Sequence, residues 1–318
     1  MCGVGHGPMR TERVAVVGAG AVGCYFGGML ARAGVPVTLI GRASHVDAIN
    51  RDGLFMESGD FRDYIHLRAD TEIEAIGTAS IVLLCVKTID TETAAAAAAP
   101  HLSDAALLVS MQNGVDNIDR IRSATGIDAI PAVVYVAAAM SGPGRVKHSG
   151  RGDLIIGEFS AGTGRGNRLE RIASVFGDSG IPCRISDNVQ SELWTKLVMN
   201  CAYNAISALA HSRYALIKDN PLARGVMRQI ITEVAAVATA SGVILPDAEH
   251  LMNAALKLGD AMPDATSSTA QDLARRKPTE VDSLNGYIAR RGVELGLPTP
   301  VNGTLHALVK LFEMNAVR

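Results

Sequence analysis

Val14-Ala15-Val16-Val17 runs directly into Gly18-Ala19-Gly20-Ala21-Val22-Gly23, and Ala21 to Ala33 then carries apolar residues at helical spacing. An apolar strand, a G-x-G-x-x-G turn and a helix in that order constrain the chain more than anything else in it. Gly18 permits the tight turn, Gly20 lets a phosphate approach the backbone, and Gly23 lets the helix lie close on the strand. The helix N-terminus supplies free N–H groups for an anion. A second strand, Val35 to Ile40, follows within the expected interval of about twenty residues. The pattern predicts dinucleotide binding by Gly18, Ala19, Gly20, Ala21, Val22 and Gly23.

The end of the second strand bears on which dinucleotide. A site for NAD usually places Asp or Glu there for the ribose hydroxyls, whereas this chain reads Leu39-Ile40-Gly41-Arg42. An Arg without an acid favours NADP(H), because a guanidinium grips a 2'-phosphate with planar, charge-assisted hydrogen bonds. Lys87, just past the apolar run Ile81 to Val86, would add positive charge at the same edge. Both cations also have a plain reading as solvated loop residues.

The first half continues the alternation of strand and helix. Thr91 to Ala99 reads as an Ala-rich helix stopped by Pro100, and Ala106 to Ser110 as a strand ending in Gln112-Asn113-Gly114. Pro131 to Ala138, Arg145 to His148 and Asp153 to Gly157 read as an antiparallel extension, followed by a helix, Asn167 to Asp178, and a strand, Pro182 to Ile185. After Asn188 nothing reads as a strand. Helices are expected over Asn188 to Leu209, Leu222 to Ser241, Pro246 to Leu258, Ser267 to Arg275, Glu280 to Leu295 and Val301 to Met314. The fold class is therefore α/β: an N-terminal Rossmann-type doubly wound sheet over residues 1–187 and a C-terminal all-helical domain over 188–318. Met1 to Arg10 reads as a flexible tail.

The chain's 318 residues suit two domains at roughly 150 residues each. Thirty Lys plus Arg against thirty-two Asp plus Glu leave a net charge of -2, so no global positive field would hold nucleic acid or an anionic membrane. No apolar run reaches the roughly 18 to 20 residues of a membrane span, and no secretory signal opens the chain. Cys2, Cys24, Cys85, Cys183 and Cys201 are scattered and never form a C-x-x-C pair, which argues against a disulfide framework or a metal site and fits a reducing cytoplasm.

Within the helical half, Lys196, Asn200 and Asn204 are four apart. Each step turns about 40° and rises about 6 Å, so the three share one face. Among Leu197, Val198, Met199 and Ala202, that face suggests a cleft lined with donors, although a solvated helix face has the same periodicity. A second polar cluster runs from Ser267-Ser268-Thr269 through Thr279-Glu280-Val281-Asp282 to Asn285-Gly286. Here Thr279 could cap a helix with Asp282 at its third position, leaving Glu280 merely to complement the dipole.

The glycine motif, Val86-Lys87-Thr88, Gln112-Asn113-Gly114, the run Glu192 to Cys201 and the stretch Ser267 to Gly286 together resemble the ketopantoate reductase (2-dehydropantoate 2-reductase) family over nearly the whole chain. The resemblance implies NADPH as reductant and reduction of a 2-oxo acid, with 2-dehydropantoate in pantothenate synthesis as the founding substrate. It implies that Lys196 is the proton donor and that Asn200, Asn204 and Ser268 bind substrate. Lys87, Asn113 and Glu280 would hold the cofactor or line its junction with the substrate, and Arg42 would hold the 2'-phosphate. Ala205 stands where some relatives have Pro, and Ala210-His211-Ser212-Arg213-Tyr214 lacks an Asn-Gly pair found in others. Those departures bear on the side chain of the 2-oxo acid.

Hydride addition to a ketone leaves negative charge on oxygen, and an ammonium can both stabilise that charge and protonate it. Lys196 suits this role, with Glu280 opposite to orient it. The expected partner is a small-molecule 2-oxo acid, with no nucleic acid and no membrane, and a homodimer is the candidate assembly. The alternatives are a related 2-oxo-acid or β-hydroxyacid dehydrogenase and a non-catalytic NADP-binding sensor.

Overall fold

The computed structural model describes residues 12–59, 61–159 and 167–316. The expected tail, Met1 to Arg10, and Cys2 lie outside the described residues. The first elements are β1 (Val14–Val17), α1 (Ala21–Arg32), β2 (Val37–Ile40), α2 (Ala43–Asp52), β3 (Leu54–Ser58), β4 (Phe61–Ile65) and β5 (Arg68–Asp70). They are followed by β6 (Ile81–Leu84), α3 (Thr91–Ala98), β7 (Leu107–Ser110), α4 (Asn117–Thr125), β8 (Ile130–Gly142), β9 (Arg145–Ile156), α5 (Arg168–Gly177) and β10 (Cys183–Ile185).

Six strands pair in parallel in the order β5-β2-β1-β6-β7-β8. This is the doubly wound Rossmann order, whose direction reverses between β1 and β6, and ligands of such sheets bind beyond the strands' carboxyl ends at that reversal. Gly18 follows β1, Arg42 follows β2 and Lys87 follows β6, so three of the expected cofactor positions stand at those ends. β1 and β6 are buried on both faces, as their uninterrupted apolar sequences require.

β8 then leaves the parallel ladder and runs antiparallel to β9, with register shifts at Tyr135/Val136, Ala137/Ala138 and Met140/Gly142. The two strands expected at Arg145 to His148 and Asp153 to Gly157 are one bulged strand. Ser149-Gly150-Arg151-Gly152 looks like a turn, yet pairing with β8 carries the ladder through it, with Arg151 at φ 56°. The Arg151 guanidinium stacks 3.9 Å over the Tyr135 ring and bonds Asp153, which holds the bulge.

By contacts the chain divides into two units, residues 12–112 with 117–189 and residues 113–116 with 190–316 of those described. The second unit's helices are α6 (Val189–Leu209), α7 (Tyr214–Asp219), α8 (Pro221–Ala240), α9 (Ala248–Ala261), α10 (Ser268–Ala274), α11 (Asn285–Leu295) and α12 (Pro300–Ala316). Pro221 opens α8, and Asn220 caps it by accepting from Leu222 N at 2.9 Å and Ala223 N at 3.1 Å. Gly296, at φ 68°, ends α11 in the left-handed conformation that only glycine adopts without strain.

The helix expected from Glu280 is shorter than its apolar pattern suggests. A single 3-10 turn, Val281–Ser283, precedes a break at Leu284 (φ −111°, ψ −105°), and α11 starts after it. A buried polar chain ties four helices together. Glu233 of α8 accepts from Val301 N and Asn302 N at 2.9 Å, capping α12, and Asn302 links through Asn285 to the Cys201 carbonyl of α6. Each such bond contributes about 1 kcal/mol net, and an orphaned buried partner costs more than that, so the chain fixes how α6 is held.

Candidate active site

Each glycine of the first turn has its own steric reason. Gly18 sits at φ 112°, and a Cβ there would come 2.8 Å from the Cys85 carbonyl carbon; a Cβ on Gly23 would come 2.1 Å from the Gly18 oxygen. Gly20 is different: a Cβ there would meet nothing within 4 Å. Gly20 is also the N-cap of α1, whose first turn has no side-chain cap and no acid. Open space in front of uncapped N–H groups, at the carboxyl end of β1, fits a pyrophosphate. Ala19 is buried, while Ala21 and Val22 remain partly open beside it.

At the end of β2, a Cβ on Gly41 would lie 2.5 Å from the Cβ of Ala19. No acidic side chain could stand there without moving the glycine turn. The next residue, Arg42, is exposed, begins α2 and makes no side-chain hydrogen bond or ion pair among the described residues. Lys87 is half-buried at the start of the turn that follows β6.

Gln112 is a residue that sequence reasoning passed over as part of a turn. It is buried, accepts from Ser110 Oγ at 3.1 Å, and donates to the Val86 carbonyl at 3.2 Å and to Thr91 Oγ1 at 2.7 Å. Thr91 in turn bonds the Thr88 carbonyl at 2.8 Å. These contacts clamp the loop carrying Lys87 to the strand end that leads into Asn113. The only signal in the sequence was a lone amide next to the Asn-Gly pair.

In the second unit, Lys196 Nζ donates to Asn113 Oδ1 at 2.9 Å, and Asn113 Nδ2 donates to Glu280 Oε2 at 2.8 Å. All three are half-buried. An ammonium only donates and a carboxylate only accepts, so an amide joins them with its oxygen toward the lysine and its nitrogen toward the glutamate. The sequence places Glu280 opposite Lys196; the structure sets Asn113 as a bridge between the two.

Asn200 and Asn204 follow Lys196 on the same face of α6, which is otherwise packed through Trp194, Leu197, Val198 and Cys201. Asn204 is 4% exposed. Among the described residues neither side-chain amide makes a hydrogen bond, so both can bind a ligand. Leaving such a group without a partner costs about 1 to 3 kcal/mol. The two serines differ in setting. Ser268 is exposed, whereas Ser267 is buried, caps α10 through Ala270 N at 3.0 Å and donates to the Asn204 carbonyl at 3.0 Å. The cap expected from Thr279 and Asp282 is also rearranged: Thr279 Oγ1 accepts from Val281 N, while Asp282 turns to His306 and Lys310.

The family described as ketopantoate reductase PanE/ApbA matches residues 14–161, and its C-terminal counterpart matches residues 188–313. The chain belongs to the ketopantoate reductase family. A 2-dehydropantoate 2-reductase of Pyrococcus horikoshii is 31% identical over 95% of this chain and 97% of its own length. One from Vibrio cholerae is 31% identical over 95% and 98%. The crystal structure of a PanE/ApbA family ketopantoate reductase from Ralstonia eutropha is 47% identical, with a TM-score of 0.89 over 96% of this chain and 100% of that one. A D-mandelate dehydrogenase solved with NADH and anilino(oxo)acetate is 25% identical, with a TM-score of 0.90 over 96% and 99%. The chain is an oxidoreductase of this family, and its cofactor is a nicotinamide dinucleotide. Among the described residues no helix is long and apolar enough to cross a membrane, and no group of three or more His, Cys, Asp or Glu could hold a metal ion.

Proposed function

We propose that this chain reduces 2-dehydropantoate to the 2-hydroxy acid pantoate with NADPH, a step of pantothenate synthesis in the cytoplasm. The observation that carries the reading is the hydrogen-bonded series Lys196, Asn113 and Glu280 beside the two uncommitted amides Asn200 and Asn204. The glycine turn, Arg42 and Lys87 serve the dinucleotide, which when bound supplies a hydride to the substrate's carbonyl carbon. Lys196 holds its ammonium where negative charge develops on the carbonyl oxygen and gives up a proton to it. Asn113 and Glu280 fix the direction of that ammonium. Asn200 and Asn204 meet the substrate's carboxylate and hydroxyl with neutral dipoles of fixed direction, and Ser268 adds a hydroxyl donor.

The deciding experiment incubates the purified protein with NADPH or NADH and a panel of 2-oxo acids including 2-dehydropantoate, following loss of nicotinamide absorbance. The D-mandelate dehydrogenase of the same fold favours a second reading, a 2-oxo acid with a different side chain. An aromatic 2-oxo acid turned over with a higher kcat/KM than 2-dehydropantoate would establish it. Asn200→Ala, Asn204→Ala and Ser268→Ala should each raise the KM for the 2-oxo acid by roughly 5- to 30-fold, the cost of one lost polar partner, with NADPH affinity within a few-fold of native. Native substrate kinetics in all three variants would make the stripe a structural face.

A further inference from the structure

The residues flanking Glu280 carry a second set of charged contacts that the proposed chemistry does not use. Thr279 N donates to Glu313 Oε1 at 2.7 Å. Asp282 accepts from His306 Nε2 at 2.6 Å and from Lys310 Nζ at 2.8 Å, and Lys310 Nζ also pairs with Glu313 Oε2 at 2.9 Å. His306, Lys310 and Glu313 are spaced four and three apart on α12, so one face of that helix supplies all three. The same face closes on the start of α11, where a Cβ on Gly286 would lie 2.8 Å from the His306 ring.

Glu280 therefore stands on a short loop gripped on both sides by one helix face. Burial would raise the Glu313 carboxyl, but the Thr279 hydroxyl and N–H, with Lys310, hold it below the usual carboxylate range. Asp282 behaves alike: burial raises it, while Lys310 and His306 bring it below its ordinary value. The grip is ionic through the neutral range.

We propose that Glu313, braced by Lys310, is a positioning residue of the reaction: it holds the 279–283 loop so that Glu280 meets Asn113 and, through it, orients Lys196. The proposal rests on the reading of Lys196 and Glu280 given above. Glu313 touches neither substrate nor cofactor in this scheme; it acts through Thr279. Small misplacements of a catalytic group are costly to rate, so releasing the loop falls on kcat rather than on binding.

The test uses the full chain with NADPH and 2-dehydropantoate, comparing Glu313→Ala, Glu313→Gln, Lys310→Met, Glu280→Ala and the double variant Glu280→Ala with Glu313→Ala. Glu313→Ala should lower kcat about 10-fold, with KM and the NADPH Kd within about 3-fold. Glu313→Gln, which keeps an oxygen for Thr279 N, should return kcat to within about 3-fold of native, and Lys310→Met should fall between the two. In the Glu280→Ala background, Glu313→Ala should cost almost nothing further, because residues acting through one another are not additive. A purely structural role predicts instead a lower Tm with native kcat, or a loss that multiplies onto that of Glu280→Ala; either overturns the proposal. If Glu313→Ala does not fold, native kcat in Lys310→Met overturns it equally. Native kcat in Glu280→Ala would bring down the reading of the site itself, a result distinct from failure at Glu313 alone.

Discussion

Lys196→Ala should lower kcat by roughly 10² to 10⁴, the usual contribution of a positioned acid or base, while the fold and NADPH binding survive. The lysine is half-buried, and its ammonium is held 2.9 Å from Asn113 Oδ1 rather than left to sample solvent. A solvated lysine on a helix face would cost almost nothing to remove. Lys196→Arg should recover little, because a planar guanidinium with a far higher pKa can neither match the amide contact nor release its proton readily. The measurement is steady-state reduction at saturating NADPH, with a thermal melt beside it. Near-native kcat in a folded Lys196→Ala would move the donor role to Glu280 or to water.

The second large effect concerns the cofactor. Arg42→Ala should weaken NADPH binding by about 1.5 to 3 kcal/mol, roughly 10- to 150-fold, and leave NADH nearly unchanged. Two features support this expectation. Arg42 is exposed and uncommitted, so its five donors are available to a phosphate. Gly41 cannot be exchanged for an acid without driving Ala19 out of the glycine turn, so the bare ribose of NADH gains no carboxylate there. Titrating both cofactors against native and variant protein decides the matter, and equal native affinities would sink the NADPH preference.

The elements legible beforehand were those whose sequence alone settles a local conformation. β1, β6 and β7 are apolar on both faces, α1 and α8 carry clean helical periodicity with glycine or proline punctuation, and each lies within a few residues of its expected bounds. The stretch from Ala43 to Asp70 was not legible. Its helix α2 buries only Val46 and Ile49, β4 exposes its middle residues, and β3 is a strand because β9, far away in the chain, pairs with it. Helix α4, polar apart from Ile118 and Ile121, was missed for the same reason.

The candidate site divides along the same line. The glycine turn, the cation after β2 and the four-residue spacing that puts Lys196, Asn200 and Asn204 on one face are readable from the residues in order, because each depends on residues adjacent along one strand, turn or helix. What those groups meet depends on the packing of the folded chain. Asn113 joins Lys196 to Glu280, residues 83 and 167 positions away from it; Ser267 rather than Ser268 locks α10 to α6; and α12 takes hold of the loop that bears Glu280. Such contacts are set by how helices and loops pack, and a hydrogen bond between distant residues leaves no period in the sequence to be read.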